Sequence, residues 1–200
     1  MVTAIQRLRQ EHRDLSRLLD VLERQLDAIR GERTPDYHLM RNILHYLMEY
    51  PNHYHHPYED LVYDRLAERV PGMASVVEYF FAEHDRLATL GWQSLTLVER
   101  VLNEDLVARA EVHASGNAFA REYRAHMQRE NEEILTAAET SLTAVDWLQI
   151  ETMFHRRPDP LFGPEVAAEY QALHDCITIE TAQRESGRAG ESYCSACATD

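Results

Sequence analysis

The chain has 200 residues, a formal net charge of −14 and a hydrophobic fraction of 44%. That length buries one sizeable core, and the acidic balance disfavours a nucleic-acid binder, which needs clustered Lys and Arg. No apolar run approaches the roughly 18 residues of a membrane span, and the first residues lack the apolar core of a signal peptide, so the expectation is a cytoplasmic protein with no membrane partner.

Long stretches rich in Leu, Ala, Glu, Arg and Gln, with few β-branched runs, predict an all-α fold. The first helix is expected from Thr3 to Arg30. Ile5, Leu8, His12, Leu15, Leu19, Leu22 and Leu26 form one stripe at three- and four-residue steps, and His12 is a member of it. Gly31 reads as its stop, with Thr34 and Pro35 as the N-cap and first residue of the next helix.

The second helix is expected to reach Arg69, kinked where Pro51 and Pro57 remove backbone donors. Between and after these prolines lies P-N-H-Y-H-H-P-Y-E-D-L, residues 51–61. His55 and Glu59, and likewise His56 and Asp60, are four apart and therefore share a helix face. An imidazole and a carboxylate stacked in this way make half of a first-row metal site.

Pro71-Gly72 marks a turn, and the third helix runs from Ala74 to Leu102 with His84 inside its apolar stripe. The fourth is expected from Asp105 to Leu142. In it His126 and Glu130 repeat the H-x-x-x-E spacing of His55 and Glu59.

Four long helices with short links predict an up-down-up-down four-helix bundle. Counting along the arms tests whether the histidines meet. His12 is about 18 residues from the first turn and His55 about 20 beyond it; His84 and His126 are about 19 and 20 from theirs, so each pair is level at about 1.5 Å per residue. His55 and His84 are joined by arms of about 14 and 10 residues, a poorer match that a kink or short turn absorbs, so each of the four helices delivers an inward-pointing histidine at about one height, and two also deliver a glutamate.

The candidate ligands are therefore His12, His55, His56, Glu59, His84, His126 and Glu130. Imidazoles with a few carboxylates and no cysteine suit Fe, Mn or Zn, and glutamates from different helices can bridge two cations. Asp60 is the alternative partner of His56, supporting the site from outside. Tyr123 reads as core, with a hydrogen-bond donor at the site as the sharper alternative. His38, His45, His53, His113, His155 and His174 read as surface or packing residues.

After the bundle, residues 1–142, a helical extension over 143–180 is expected to pack on it. It comprises a short helix capped by Thr143 with Asp146 three residues on, an R-R-P-D-P-L-F-G loop, and a helix from Pro164 to Ile177. Residues 181–200 read as a polar, disordered tail. Three cysteines make no disulfide framework. Cys176 reads as buried, and Cys194-x-x-Cys197 has a redox or metal-clip spacing without a second pair.

His12, H-H-P-Y-E at 55–59, E-H-D around His84 and H-M-Q-R-E at 126–130 together resemble the hemerythrin-like family, also called the HHE cation-binding domain, over residues 1–142. The resemblance implies a non-haem di-iron centre with an oxo or hydroxo bridge. His12 and His55 would hold one iron, His56, His84 and His126 the other, and Glu59 and Glu130 would bridge. Oxygen-carrying hemerythrins have a second histidine on the third helix, where this chain has Phe80 and Ala88 four residues either side of His84. They also carry an aspartate where this chain has Asn131.

The sequence is thus closer to the bacterial HHE branch. That branch is associated with O₂ or NO response, iron sensing, peroxide removal and repair of damaged iron–sulfur centres. Two readings follow. One is a di-iron protein that binds or reduces O₂, NO or peroxide, with a redox or signalling protein as partner. The other is an iron-homeostasis or iron-centre repair module whose metal occupancy a partner reads.

Overall fold

A computed structural model describes residues 3–31, 33–155 and 157–185, and all regular structure among them is helical. Helix α1 spans Ala4–Arg30. Its start is set by a capping box: Thr3 Oγ1 accepts from the Gln6 N–H at 3.1 Å, and Gln6 Oε1 accepts from the Thr3 N–H at 2.9 Å. The apolar stripe read from the sequence is its buried face.

Helix α2 spans Tyr37–Tyr50, and its cap is Asp36 rather than Thr34. The Asp36 carboxylate accepts from the Leu39 N–H at 2.9 Å, and its own N–H is taken by Gln25 of α1, so the cap is pinned from both sides. Pro51 opens a π turn, Pro51–His55, after which α3 runs His56–Arg69. Pro57 sits in the first turn of α3, and the backbone stays right-handed helical from Tyr50 and Pro51 to His55 and His56, so the departure from the α-helix is the single π turn that Pro51 opens.

A 3₁₀ turn at Pro71–Met73 leads into α4, Ala74–Leu102, which coincides with the expected third helix. Helix α5 begins at Arg109, later than expected. Glu104 takes a left-handed φ of 63°, and Ala108 is still extended, so helical geometry resumes only beyond it. Helix α5 ends at Arg129 in a second π turn, Glu130–Ile134, followed by α6, Leu135–Ser141.

Both π turns carry an asparagine at their second residue. Asn52 Nδ2 donates to the Met48 carbonyl at 2.9 Å, and Asn131 Nδ2 donates to the Met127 carbonyl at 2.8 Å. Each side chain thus satisfies the carbonyl four residues back, where the backbone ladder widens.

Helix α1 packs on α5, α5 on α4, α4 on α2, and α2 on α1, so these rods enclose a common interior. The interior is divided. A large apolar core joins Leu15–Ile29 of α1 with α2, Leu87–Val98 of α4 and Val112–Met127 of α5. Separate clusters hold Ile5, Leu8, Tyr58, Val62 and Leu135, and Tyr63, Leu66, Val77, Phe80 and Ile134. Buried polar side chains lie between these clusters along the chain of each rod.

The extension begins as expected with α7, Ala144–Met153, capped by the Thr143–Asp146 box. Asp146 also receives Arg69 Nη2 at 2.7 Å, which fastens α7 to the end of α3. Asp159 accepts the N–H groups of Leu161 and Phe162, and Tyr46 of α2 donates to it at 2.8 Å. Ala167 is extended, so no helix starts at Pro164. A 3₁₀ turn at Ala168–Tyr170 precedes α8, Gln171–Glu185, which passes the boundary expected at residue 180. Leu161, Tyr170, Leu173, Cys176 and Ile177 join the large core. Cys176 is disulfide-bonded. Cys194 and Cys197 lie outside the described residues, as does 186–200 of the expected tail.

Candidate metal centre

The stripe of α1 carries His12 inward. His55 closes the first π turn, and His56 and Glu59 follow in the first turn of α3. His84 comes from the middle of α4, His126 from the last turn of α5, and Glu130 from the opening of the second π turn. All seven are buried, with Glu59 and Glu130 wholly inaccessible. Burying this many ionisable groups is costly unless they are paired or hold a cation.

Their atoms meet in two groups. In one, ligand atoms of His12, His55 and Glu59 lie within 4.8 Å of one another; in the other, those of His56, Glu59, His84 and His126 do. Glu59 is common to both. Its Oε1 lies 3.1 Å from His12 Nε2 and 3.0 Å from His55 Nε2, and its Oε2 lies 3.6 Å from His84 Nε2. Glu130 belongs to neither group, but its Oε2 is 3.1 Å from His12 Nε2 and 3.8 Å from His126 Nε2.

Glu59 Oε2, Glu130 Oε2 and His126 Nε2 are buried and make no hydrogen bond. Orphaned buried acceptors are rare because each forfeits its solvation. Cations between them would satisfy all three, so the donor set fits metal ions.

The model for the hemerythrin HHE cation-binding domain matches residues 3–138. The chain belongs to that family. Comparison with curated proteins gives no match. Membership implies metal binding, commonly of iron, and the His/Glu groups of this hemerythrin domain are the place for it.

Carboxylates stand behind the histidines of the hemerythrin domain. His55 Nδ1 lies 2.7 Å from Glu11 Oε2, His84 Nδ1 2.9 Å from Asp60 Oδ1, and His126 Nδ1 3.3 Å from Glu83 Oε2. An Nδ1–H given to a carboxylate fixes the tautomer and turns the Nε2 lone pair inward. Asp60 thus serves His84 of the next helix, and not His56, the alternative that the sequence offered. Glu11 and Glu83 were not singled out by the sequence reading, yet a signal exists. Glu11-His12 and Glu83-His84 are both E-H dipeptides, in which the histidine turns inward and the acid supports the histidine of a neighbouring helix.

Burial disfavours a charged His12, but Glu130 and Glu59 outweigh it and lift its pKa to about 9. His55 is raised in the same way: burial opposes the charge, and Glu59 and Glu11 prevail. For Glu59, burial favours the neutral acid, but His55 and His12 hold it well below the usual carboxylate range. His56 goes the other way, pushed down by burial and by the charge of His84. Tyr123 is buried, with its oxygen 3.4 Å from His56 Nε2, and burial pushes its phenol pKa well up. Tyr63, which the sequence reading also passed over, sits against both Glu130 and His84.

A groove of about 770 Å³ lies between α1 and α5, and its lining includes His12, Ser16, Arg124, Met127 and Asn131. Among the described residues, no helix is long and apolar enough to cross a membrane.

Proposed function

We propose that the chain is a hemerythrin-like di-iron protein, an up-down-up-down bundle of the α1, α2–α3, α4 and α5–α6 rods that binds or reduces a small oxidant such as O₂, NO or peroxide. The observation that carries this reading is Glu59, a single buried carboxylate that offers one oxygen to each of two histidine groups. A shared carboxylate holds two cations at a short fixed separation, as di-metal bundle sites require. His12 and His55 would hold one iron, and His56, His84 and His126 the other. A pair of irons supplies reversible two-electron exchange with a small oxidant.

The protein's own part is to keep that exchange dry and selective. Phe80, Tyr63, Tyr123 and Phe119 seal the interior. The groove between α1 and α5 runs up to His12. Glu11, Asp60 and Glu83 hold the imidazoles in one orientation.

The test is metal analysis with absorption spectroscopy on protein from iron-replete cells. Two irons per chain are expected, with an oxo-to-iron absorption that changes on adding O₂, NO or peroxide. Spectral indifference, together with a melting temperature that climbs steeply with iron, would replace this reading with an iron-handling module. Absence of bound metal after replete expression would overturn both.

A further inference from the structure

Glu59 and Glu130 come from equivalent H-x-x-x-E motifs, but the fold does not treat them alike. Glu59 spreads its oxygens, Oε1 toward His12 and His55 and Oε2 toward His84. Glu130 has one oxygen already engaged: the Tyr63 hydroxyl donates to Glu130 Oε1 at 2.7 Å. Its Oε2 alone faces His12 and His126.

We propose that Tyr63 is a positioning residue that makes the two carboxylates inequivalent, holding Glu130 Oε1 so that only Oε2 is offered to the ions while Glu59 spans both. The inference rests on the di-iron reading above and departs from the symmetric double bridge that the family resemblance implies.

Tyr63 is built into this role. It lies one turn beyond Glu59 on α3 and is wholly buried. Its ring stacks on His84 at a 25° interplanar angle, with Phe80 and Phe81 edge-on against it, so the hydroxyl has one available direction. The hydroxyl oxygen is 3.4 Å from His84 Nε2, too long for a strong second bond. A carboxylate oxygen that accepts a short hydrogen bond from a neutral donor is a weaker metal ligand than its free twin.

Infrared difference spectroscopy reads this directly, because a carboxylate bound through one oxygen splits its two stretches more widely than one bridging through both. Iron-loaded wild type is expected to show one wide and one narrow splitting, with the wide pair removed in Glu130→Gln. Tyr63→Phe is expected to keep two irons per chain, to convert the wide splitting to a narrow one, and to change the affinity of one iron by about tenfold. Two narrow splittings in loaded wild type would overturn the proposal without any variant having to fold. So would a Tyr63→Phe spectrum identical to wild type. Failure to load iron at all would instead overturn the di-iron reading, and this inference with it.

Discussion

Glu59 Oε1 stands 3.1 Å from His12 Nε2, a contact between residues 47 positions apart in the chain. The same carboxylate reaches His55 through Oε1 and His84 through Oε2, whereas Glu130 faces His12 and His126 through Oε2 alone. Glu59→Gln keeps the shape of the side chain and removes its charge. We expect it to weaken binding of both ions by more than about 100-fold. Glu130→Ala should lose one or both and destabilise the fold. Metal stoichiometry after dialysis checks the pair, and two ions per chain retained in Glu59→Gln would refute the shared role.

Protonation sets the pH dependence. The pKa of His12 is raised from 6.5 to about 9, so its favourable pairing is complete below pH 6.5 and is lost as pH rises through about 9. His55 is shifted in the same direction and adds to the effect. Protein stripped with a chelator should therefore lose melting temperature across that window. Cations must displace the same protons, so metal affinity should rise by about tenfold per pH unit for each proton released, below pH 9. Titrations at several pH values, read beside melting curves, would show the two trends running in opposite directions. Parallel trends would count against protons and metal sharing these sites.

The acids behind the imidazoles give a third expectation. Glu11→Gln and Asp60→Asn each remove a carboxylate facing an Nδ1, at 2.7 and 2.9 Å. Each should lower metal affinity by about 10- to 100-fold while leaving the helical content unchanged. Competition with a chromophoric chelator measures this, and an affinity within twofold of wild type would assign these acids to surface electrostatics alone.

Gly91 lets α4 approach α2. A Cβ there would sit 2.1 Å from Met48 Cε and 3.0 Å from Phe119 Cε2. Gly91→Val should cost about 2 kcal/mol, since overpacking outweighs the gain in helix propensity. A denaturant midpoint at or above that of wild type would show that Met48 yields without strain.

Much of this was legible in the chain itself, because a buried helix face repeats every three to four residues. His12, His84 and His126 betray themselves as polar residues standing within apolar stripes. What stayed hidden depends on contacts between elements. Asp36 replaces Thr34 as a cap because Gln25 of α1 holds it there. Asp60 looks one turn along its own helix to His56, yet a neighbouring helix brings His84 to it. The second π turn carries no proline, so nothing in the periodicity announces it; Asn131, placed like Asn52, is its only local mark. Tyr63 has the spacing of ordinary core, and its partner Glu130 is 67 positions away.

The ligand layer separates the large apolar core from the two smaller ones, and each carries its own share of oily contacts. Cations placed in this layer would tie the clusters on either side of it together, so their removal is expected to make melting less cooperative. Calorimetry should record one sharp endotherm for the loaded protein and two overlapping ones after stripping. Loss of metal would then show first as a partly opened chain.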